Sequence, residues 1–219
     1  MQLAKAALAS GKHVICEKPL ARTLEDAIEI VSAAKNAKGK FMTAMCLRFW
    51  PQWSWLKKAV ESNKYGKVLG AHFQRIAEPP AWGQGSYFDG EISGGGLFDL
   101  HIHDTDFVQH VFGKPKSVFS SGFSKVSGAI DHVLTQYEVE CGAKVSAEGS
   151  WAMSPGWGFN MSFRVIFEKA TAFRLTIMRE ILKLGIPISI SVTAEAGLFS
   201  AVSIMIGTLG AIITSANQI

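Results

Sequence analysis

Two short stretches carry residue types that could do chemistry. The first is Glu17-Lys18-Pro19, directly after the apolar run His13-Val14-Ile15-Cys16. In open α/β sheets ligands bind beyond the carboxyl ends of the strands, so a lysine there is placed for a cofactor or a substrate. Pro19 biases Lys18 toward an extended backbone, which fixes its direction. The plain alternative is a solvated lysine after a strand. The second stretch runs from Gly94-Gly95-Gly96 through Asp99, His101, His103 and Asp106 to His110. On a helix, Asp99 and His103 are i,i+4 neighbours, Asp106 follows His103 by three, and His110 lies a turn further, so these four share one face. A carboxylate beside an imidazole is a general acid/base pair, in which the acid raises the histidine pKa and fixes its tautomer. The glycines allow a ligand close to the backbone. The alternative is a polar helix face with a satisfied histidine.

His101 and His103 could ligate a metal together on a strand, where both point the same way. On a helix they lie about 200° apart and cannot share one. Leu100, Phe107 and Val111 favour the helix, so no metal is expected. Arg48, at the end of a second strand, can reach the same cleft as Lys18. Trp82, Trp151, Trp157 and Phe159 read as packing residues, with stacking on a sugar face open to them.

The elements that must position these groups follow from periodicity. Leu3, Ala6 and Ala7 before Gly11 read as a helix with a glycine cap. Residues 13–16 read as a buried strand. Thr23 with an acid three residues on opens a helix as a capping box, with Leu24, Ala27, Ile28, Val31 and Ala34 as its stripe. Residues 40–47 return as a strand. Helix, strand, helix, strand is the grammar of a parallel sheet. After Pro51 the order changes: a helix over 52–62, a strand over 67–76, a Pro/Gly-rich loop over 78–96, and a helix over 97–112. Strand-like runs follow at 117–123, 132–139, 144–151, 161–167, 172–177 and 187–192, which predict an antiparallel sheet. A charge-free segment from Ala196 ends the chain. It reads as a buried helix, since Ser and Gly dilute it and no Lys or Arg flanks it as a membrane anchor.

Composition excludes several classes. Of 219 residues 48% are hydrophobic and 18% charged, enough apolar content for a core. The +4 net charge is scattered rather than clustered, unlike a nucleic-acid-binding face. Three cysteines without a CxxC pair argue against a disulfide scaffold and fit a cytoplasmic protein.

Taken together, Gly11 through Ala21 with its Glu-Lys-Pro, then Arg48-Phe49-x-Pro51, then Gly66-Lys67-Val68-Leu69-Gly70, then Ser93-Gly94-Gly95-Gly96 through Asp99-x-x-x-His103-x-x-Asp106, and finally Phe112-Gly113-Lys114-Pro115 resemble the glucose–fructose oxidoreductase / inositol dehydrogenase / MocA family. The resemblance implies an α/β chain with residues 1–48 as part of a parallel Rossmann domain. Residues 49–219 would form a substrate and oligomerisation domain with a large, mostly antiparallel sheet, closed by a helix over 195–216. It implies Lys18, Asp99 and His103 at the catalytic positions, with Asp99 orienting His103. Glu17, Lys18 and Pro19 would lie near the nicotinamide of NAD or NADP, and Arg48 and Asp106 would bind a polyol or sugar. It implies homo-oligomers through the sheet domain. The family's Gly-x-Gly-x-x-Gly turn is absent, so weak or no NAD(P) binding is expected of this chain. The competing expectation is a non-catalytic oligomerisation or binding module.

Overall fold

The computed structural model describes residues 2–177 apart from 82 and 84. Trp82, the strand expected over 187–192, the helix expected over 195–216 and the charge-free segment after Ala196 lie outside the described residues.

Near the N-terminus, α1 (Gln2–Ala9) leads into β1 (Val14–Cys16), α2 (Leu24–Asn36) and β2 (Phe41–Thr43). The Thr23 hydroxyl accepts from the Asp26 amide at 3.1 Å, which is the capping interaction the sequence predicts. β1 and β2 pair in parallel, Ile15 beside Met42. Those two side chains are 72% and 43% exposed, an uncovered face on a parallel pair of a kind normally buried on both sides. β2 is shorter than the expected 40–47. After Thr43 the chain turns into a 3₁₀ turn, Cys46–Phe49, that carries Leu47 into the core.

Pro51 opens α3 (Pro51–Glu61), the first helical position being where its missing N–H costs nothing. β3 (Val68–Ala77) follows. The expected loop over 78–96 contains a 3₁₀ turn (Gly85–Phe88) and a single turn of helix, α4 (Gly90–Ser93), whose N-cap Asp89 accepts from the Glu91 amide. The expected helix over 97–112 begins as a π-turn, Leu97–His101, and continues as α5 (Ile102–Phe112). Then come β4 (Ser117–Phe123), β5 (His132–Glu138), β6 (Lys144–Ser150), β7 (Phe159–Phe167) and β8 (Thr171–Ile177).

The large sheet has the order β4-β5-β6-β3-β7-β8. It is antiparallel at β4–β5, β5–β6 and β3–β7, and parallel at β3–β6. β3 is therefore central, between two strands far downstream. One face carries the core: Trp53 and Leu56 of α3 and Phe107 and Val108 of α5 pack on Phe73, Val165 and their neighbours. Burial alternates with period two along β5, so Val133, Thr135 and Tyr137 face the helices while Leu134 and Gln136 face away.

Gly149 in β6 explains how the π-turn comes so close to the sheet. A Cβ there would lie 2.6 Å from the His101 Cβ and 2.9 Å from its Cα. Gly149→Ala is expected to cost about 1–3 kcal/mol by overpacking, checked by urea denaturation. Among the described residues no helix is long and apolar enough to cross a membrane.

Candidate active site

Each parallel strand ends in a cation aimed at the 97–106 segment. Lys18, just past β1, is part-buried. Its Nζ donates to Asp99 Oδ1 at 2.7 Å and to the Asp99 carbonyl at 2.9 Å. The Lys18–Pro19 peptide is cis. Arg48, past β2, grips Asp106 with two nitrogens, Nε reaching Oδ2 at 2.8 Å and Nη2 reaching Oδ1. Arg22 adds a third link, its Nη1 donating to the Gly90 carbonyl at 3.1 Å and its guanidinium lying 5.2 Å from the Phe98 ring centre. The two residues the sequence pairs by strand-end logic thus both reach the same helix, one turn-pair apart.

The backbone around Asp99 is held from below. Asp131 is fully buried, and its Oδ2 accepts from the amides of Lys125, Val126 and Ser127 while Oδ1 takes the Ser127 hydroxyl. The turn so fixed receives Leu97, whose amide donates to the Ile130 carbonyl. Gly96 sits where a Cβ would be 2.6 Å from the Asp131 carbonyl oxygen. Only glycine lets the strand-like turn and the helix start approach this closely.

The expected Asp99–His103 couple takes a different form. Both carboxylate oxygens of Asp99 are committed: Oδ1 to Lys18, and Oδ2 to the Tyr87 hydroxyl at 2.8 Å. His103 Nδ1 is buried without a partner. Burial first, then the nearby Arg75 and Lys18 cations, push the His103 imidazole down to about 3, with Asp99 only partly opposing. The acid therefore does not raise this histidine as a simple i,i+4 pair would. Burial and the two cations outweigh the carboxylate, whose oxygens already accept from Lys18 and Tyr87.

The face expected to unite four residues divides into two clusters. Asp99 and His103 sit with Lys18 and Arg75, whereas Asp106 and His110 sit with Arg48, Lys57 and Glu61. His101 points elsewhere. Its Nε2 lies 2.8 Å from the Thr135 hydroxyl under the sheet, and burial lowers its pKa to about 4, with His132 adding to this. Among the described residues no group of three or more His, Cys, Asp or Glu could hold a metal ion. Glu17 and Pro19 flank Lys18 in the chain.

Sequence reasoning missed two groups. One is Tyr87, hidden in an irregular loop. The other is a buried ion pair, Arg75 Nε to Asp104 Oδ2 at 3.1 Å, with the residues 5% and 0% exposed. A signal for the second was present. Ala71 and Phe73 face the core, so period two puts Arg75 inward as well. Asp104 lies four residues from both Leu100 and Val108 on the buried helix face. A charge at an inward position demands a buried partner.

The model of the GFO/IDH/MocA C-terminal domain matches residues 53–173, more than half of the chain. This chain belongs to the Gfo/Idh/MocA family. Residues 1–45 match the oxidoreductase family's NAD-binding Rossmann fold. Among curated relatives, the chain is 34% identical over 117 residues to a 2,7-anhydro-N-acetylneuraminate hydratase of Escherichia coli, covering 51% of this chain and 30% of that protein. It is 38% identical over 108 residues to a 1,5-anhydro-D-fructose reductase of Ensifer adhaerens (48% and 32%). It is 34% identical over 124 residues to the scyllo-inositol 2-dehydrogenase (NADP(+)) IolU of Bacillus subtilis (54% and 37%). These matches span about a third of the relatives' length. A solved structure of a probable dehydrogenase from Thermotoga maritima superimposes with a TM-score of 0.69 at 27% identity, covering 78% of this chain and 52% of that one.

Gfo/Idh/MocA members bind NAD or NADP, and the residues present fit that cofactor at one end only. Lys18, from a strand end, and His103, from a helix, are the cation and the imidazole that the nicotinamide end would take. The β1–α2 connection, Glu17 to Thr23, contains no glycine, so it offers no close-approach turn for a pyrophosphate.

Proposed function

We propose that this chain carries the reacting end of an NAD(P)-dependent oxidoreductase that acts on a hydroxyl of a sugar, cyclitol or related alcohol. The observation that supports this most is the meeting of Lys18, Asp99 and His103 from two different elements. A bound nicotinamide would supply the hydride acceptor. His103, neutral at working pH, is able to take a proton from a substrate hydroxyl and return it in the reverse direction. Lys18, held by two bonds to Asp99, presents its one remaining ammonium proton to the reacting oxygen and stabilises charge developing there. Arg48 and Asp106, joined at the neighbouring strand end, offer donors and acceptors to a second substrate hydroxyl, and Glu17 and Pro19 set the backbone beside the nicotinamide. The relatives named for an inositol, an anhydro-sugar and an anhydro-sugar acid support a polyhydroxylated substrate.

In this reading residues 1–48 belong to the dinucleotide-binding domain and 49–219 to the substrate and oligomerisation domain, in a cytoplasmic protein. The outer sheet face supports homo-oligomers. Phe119 and Phe123 on β4 and Ile166 on β7 are 69%, 51% and 43% exposed there. Phe119→Asp is expected to lower the oligomer mass in analytical ultracentrifugation; an unchanged mass points to another contact.

The test of function has two steps. NADH fluorescence titration of the chain alone is expected to show no saturation in the micromolar range. Placing a glycine-rich nucleotide-binding segment of a relative ahead of residue 1 is expected to confer saturable binding and NAD(P)-linked oxidation of at least one member of a polyol panel. Saturable binding with no turnover on any polyol or sugar would favour the non-catalytic binding module.

A further inference from the structure

Tyr87 is an aromatic residue that no strand, helix stripe or motif picks out, yet it makes the second side-chain bond to the central carboxylate of the site. Its hydroxyl donates to Asp99 Oδ2 at 2.8 Å while Lys18 holds Oδ1 at 2.7 Å. The ring is fixed on two sides. It lies 5.0 Å from the Trp151 ring at an interplanar angle of 34°, and edge-on to Phe88 at 5.5 Å. Trp151 is 1% exposed, so the ring rests on an immobile platform. Burial first, then the Asp99 charge and the hydrogen bond to it, push the Tyr87 phenol well above its ordinary range, so it stays a donor at any working pH.

We propose that Tyr87 is a positioning residue of the reaction: by clamping Asp99 Oδ2 from the Trp151 platform, it fixes the plane of the carboxylate that aims Lys18. This inference rests on the oxidoreductase reading for its kinetic consequence, but not for its structural one. A carboxylate with only one oxygen anchored rotates about its terminal torsion, which is broad and soft. Rotation would carry Oδ1 away from the line of Lys18 Nζ and leave the ammonium held by the Asp99 carbonyl alone. Tyr87 therefore keeps the carboxylate in line with the lysine. Substrate contact is not needed for this role.

The chain has three tyrosines, Tyr65, Tyr87 and Tyr137, so biosynthetic 3-fluorotyrosine gives three resonances by ¹⁹F NMR, assignable by single Tyr→Phe replacements. On the full 219-residue chain, Lys18→Met and Asp99→Asn are each expected to move the Tyr87 resonance while leaving that of Tyr65 in place. A packing role on Trp151 alone would leave the Tyr87 signal insensitive to Lys18→Met, and that result overturns the proposal. The kinetic arm uses the form of the protein that turns over. Tyr87→Phe keeps the ring and removes only the hydroxyl. It is expected to lower kcat about tenfold with KM changed less than twofold, as for loss of one charge-assisted hydrogen bond in the transition state. Unchanged kcat overturns the positioning role. If wild-type protein turns over no polyol at all, the functional reading fails instead, and the Lys18-to-Tyr87 coupling in the spectrum then decides this inference by itself.

Discussion

In a form of the protein that oxidises a polyol, Lys18→Met is expected to lower kcat/KM by about 10²–10³, and His103→Asn by about 10²–10⁴. The two replacements remove different terms. The lysine ammonium stabilises charge on the reacting oxygen, a role no neighbour can fill, since Arg48 is committed to Asp106 and Arg22 to Gly90. The imidazole moves the proton. The pH profile separates them further. Because burial and two cations hold His103 down to about 3, its neutral form dominates from pH 5 upward in the free protein. Lowering the pH from 8 to 5 is therefore expected to leave kcat/KM without an acid limb near 6.5. An acid limb centred near 6.5 that disappears in His103→Asn would show that this histidine charges in the working range and that the site is less buried than it looks.

The second large effect concerns stability rather than turnover. Asp104 is fully buried and bonded to Arg75, while Asp104 Oδ1 and Arg75 Nη2 have no hydrogen-bond partner. Removing one member leaves the other as an uncompensated buried charge. Asp104→Ala is expected to destabilise by about 3–5 kcal/mol, and Arg75→Met by a similar amount. Replacing both, Arg75→Met with Asp104→Leu, is expected to recover most or all of that loss, because two apolar groups no longer need desolvating as ions. Urea denaturation of the three variants decides it. If the double variant is as unstable as the singles, the pair contributes through shape rather than through charge. The same double variant removes a cation from beside His103, so its imidazole is expected to titrate at higher pH than in the wild type.

Much of this architecture is written locally in the chain. Thr23 and Asp26 mark the start of α2, Pro51 marks α3, and the alternation through Val133, Thr135 and Tyr137 marks β5, because each depends on near neighbours. The strand-end cations were legible for the same reason: a short apolar strand followed by Lys18 or Arg48 has one place to point. What the sequence could not show depends on contacts between distant residues. The π-turn at Leu97–His101 lies against Gly149, from another strand, which leaves room for the helix start on the sheet, and the Asp99 carboxylate is taken up by Lys18 and Tyr87. Tyr87 acquires its place only when Trp151 arrives beneath it. The parallel pairing of β3 with β6 inside a meander of antiparallel strands is likewise invisible to period counting, which reads the strands but not their order.

That central position of β3 has a consequence for synthesis. Its two hydrogen-bonded neighbours are made much later: His72 meets Ser146 across 74 residues, and Arg75 faces Met161 on the other side. A growing chain cannot satisfy either edge of β3 until β6 and β7 have left the ribosome, so both rows of amides and carbonyls stay open while α5, β4 and β5 are made. Long-range pairing of this kind folds slowly and leaves strand edges exposed meanwhile. Expression at low temperature, or with chaperones that shield nascent strands, is the condition under which this polypeptide should accumulate in native form.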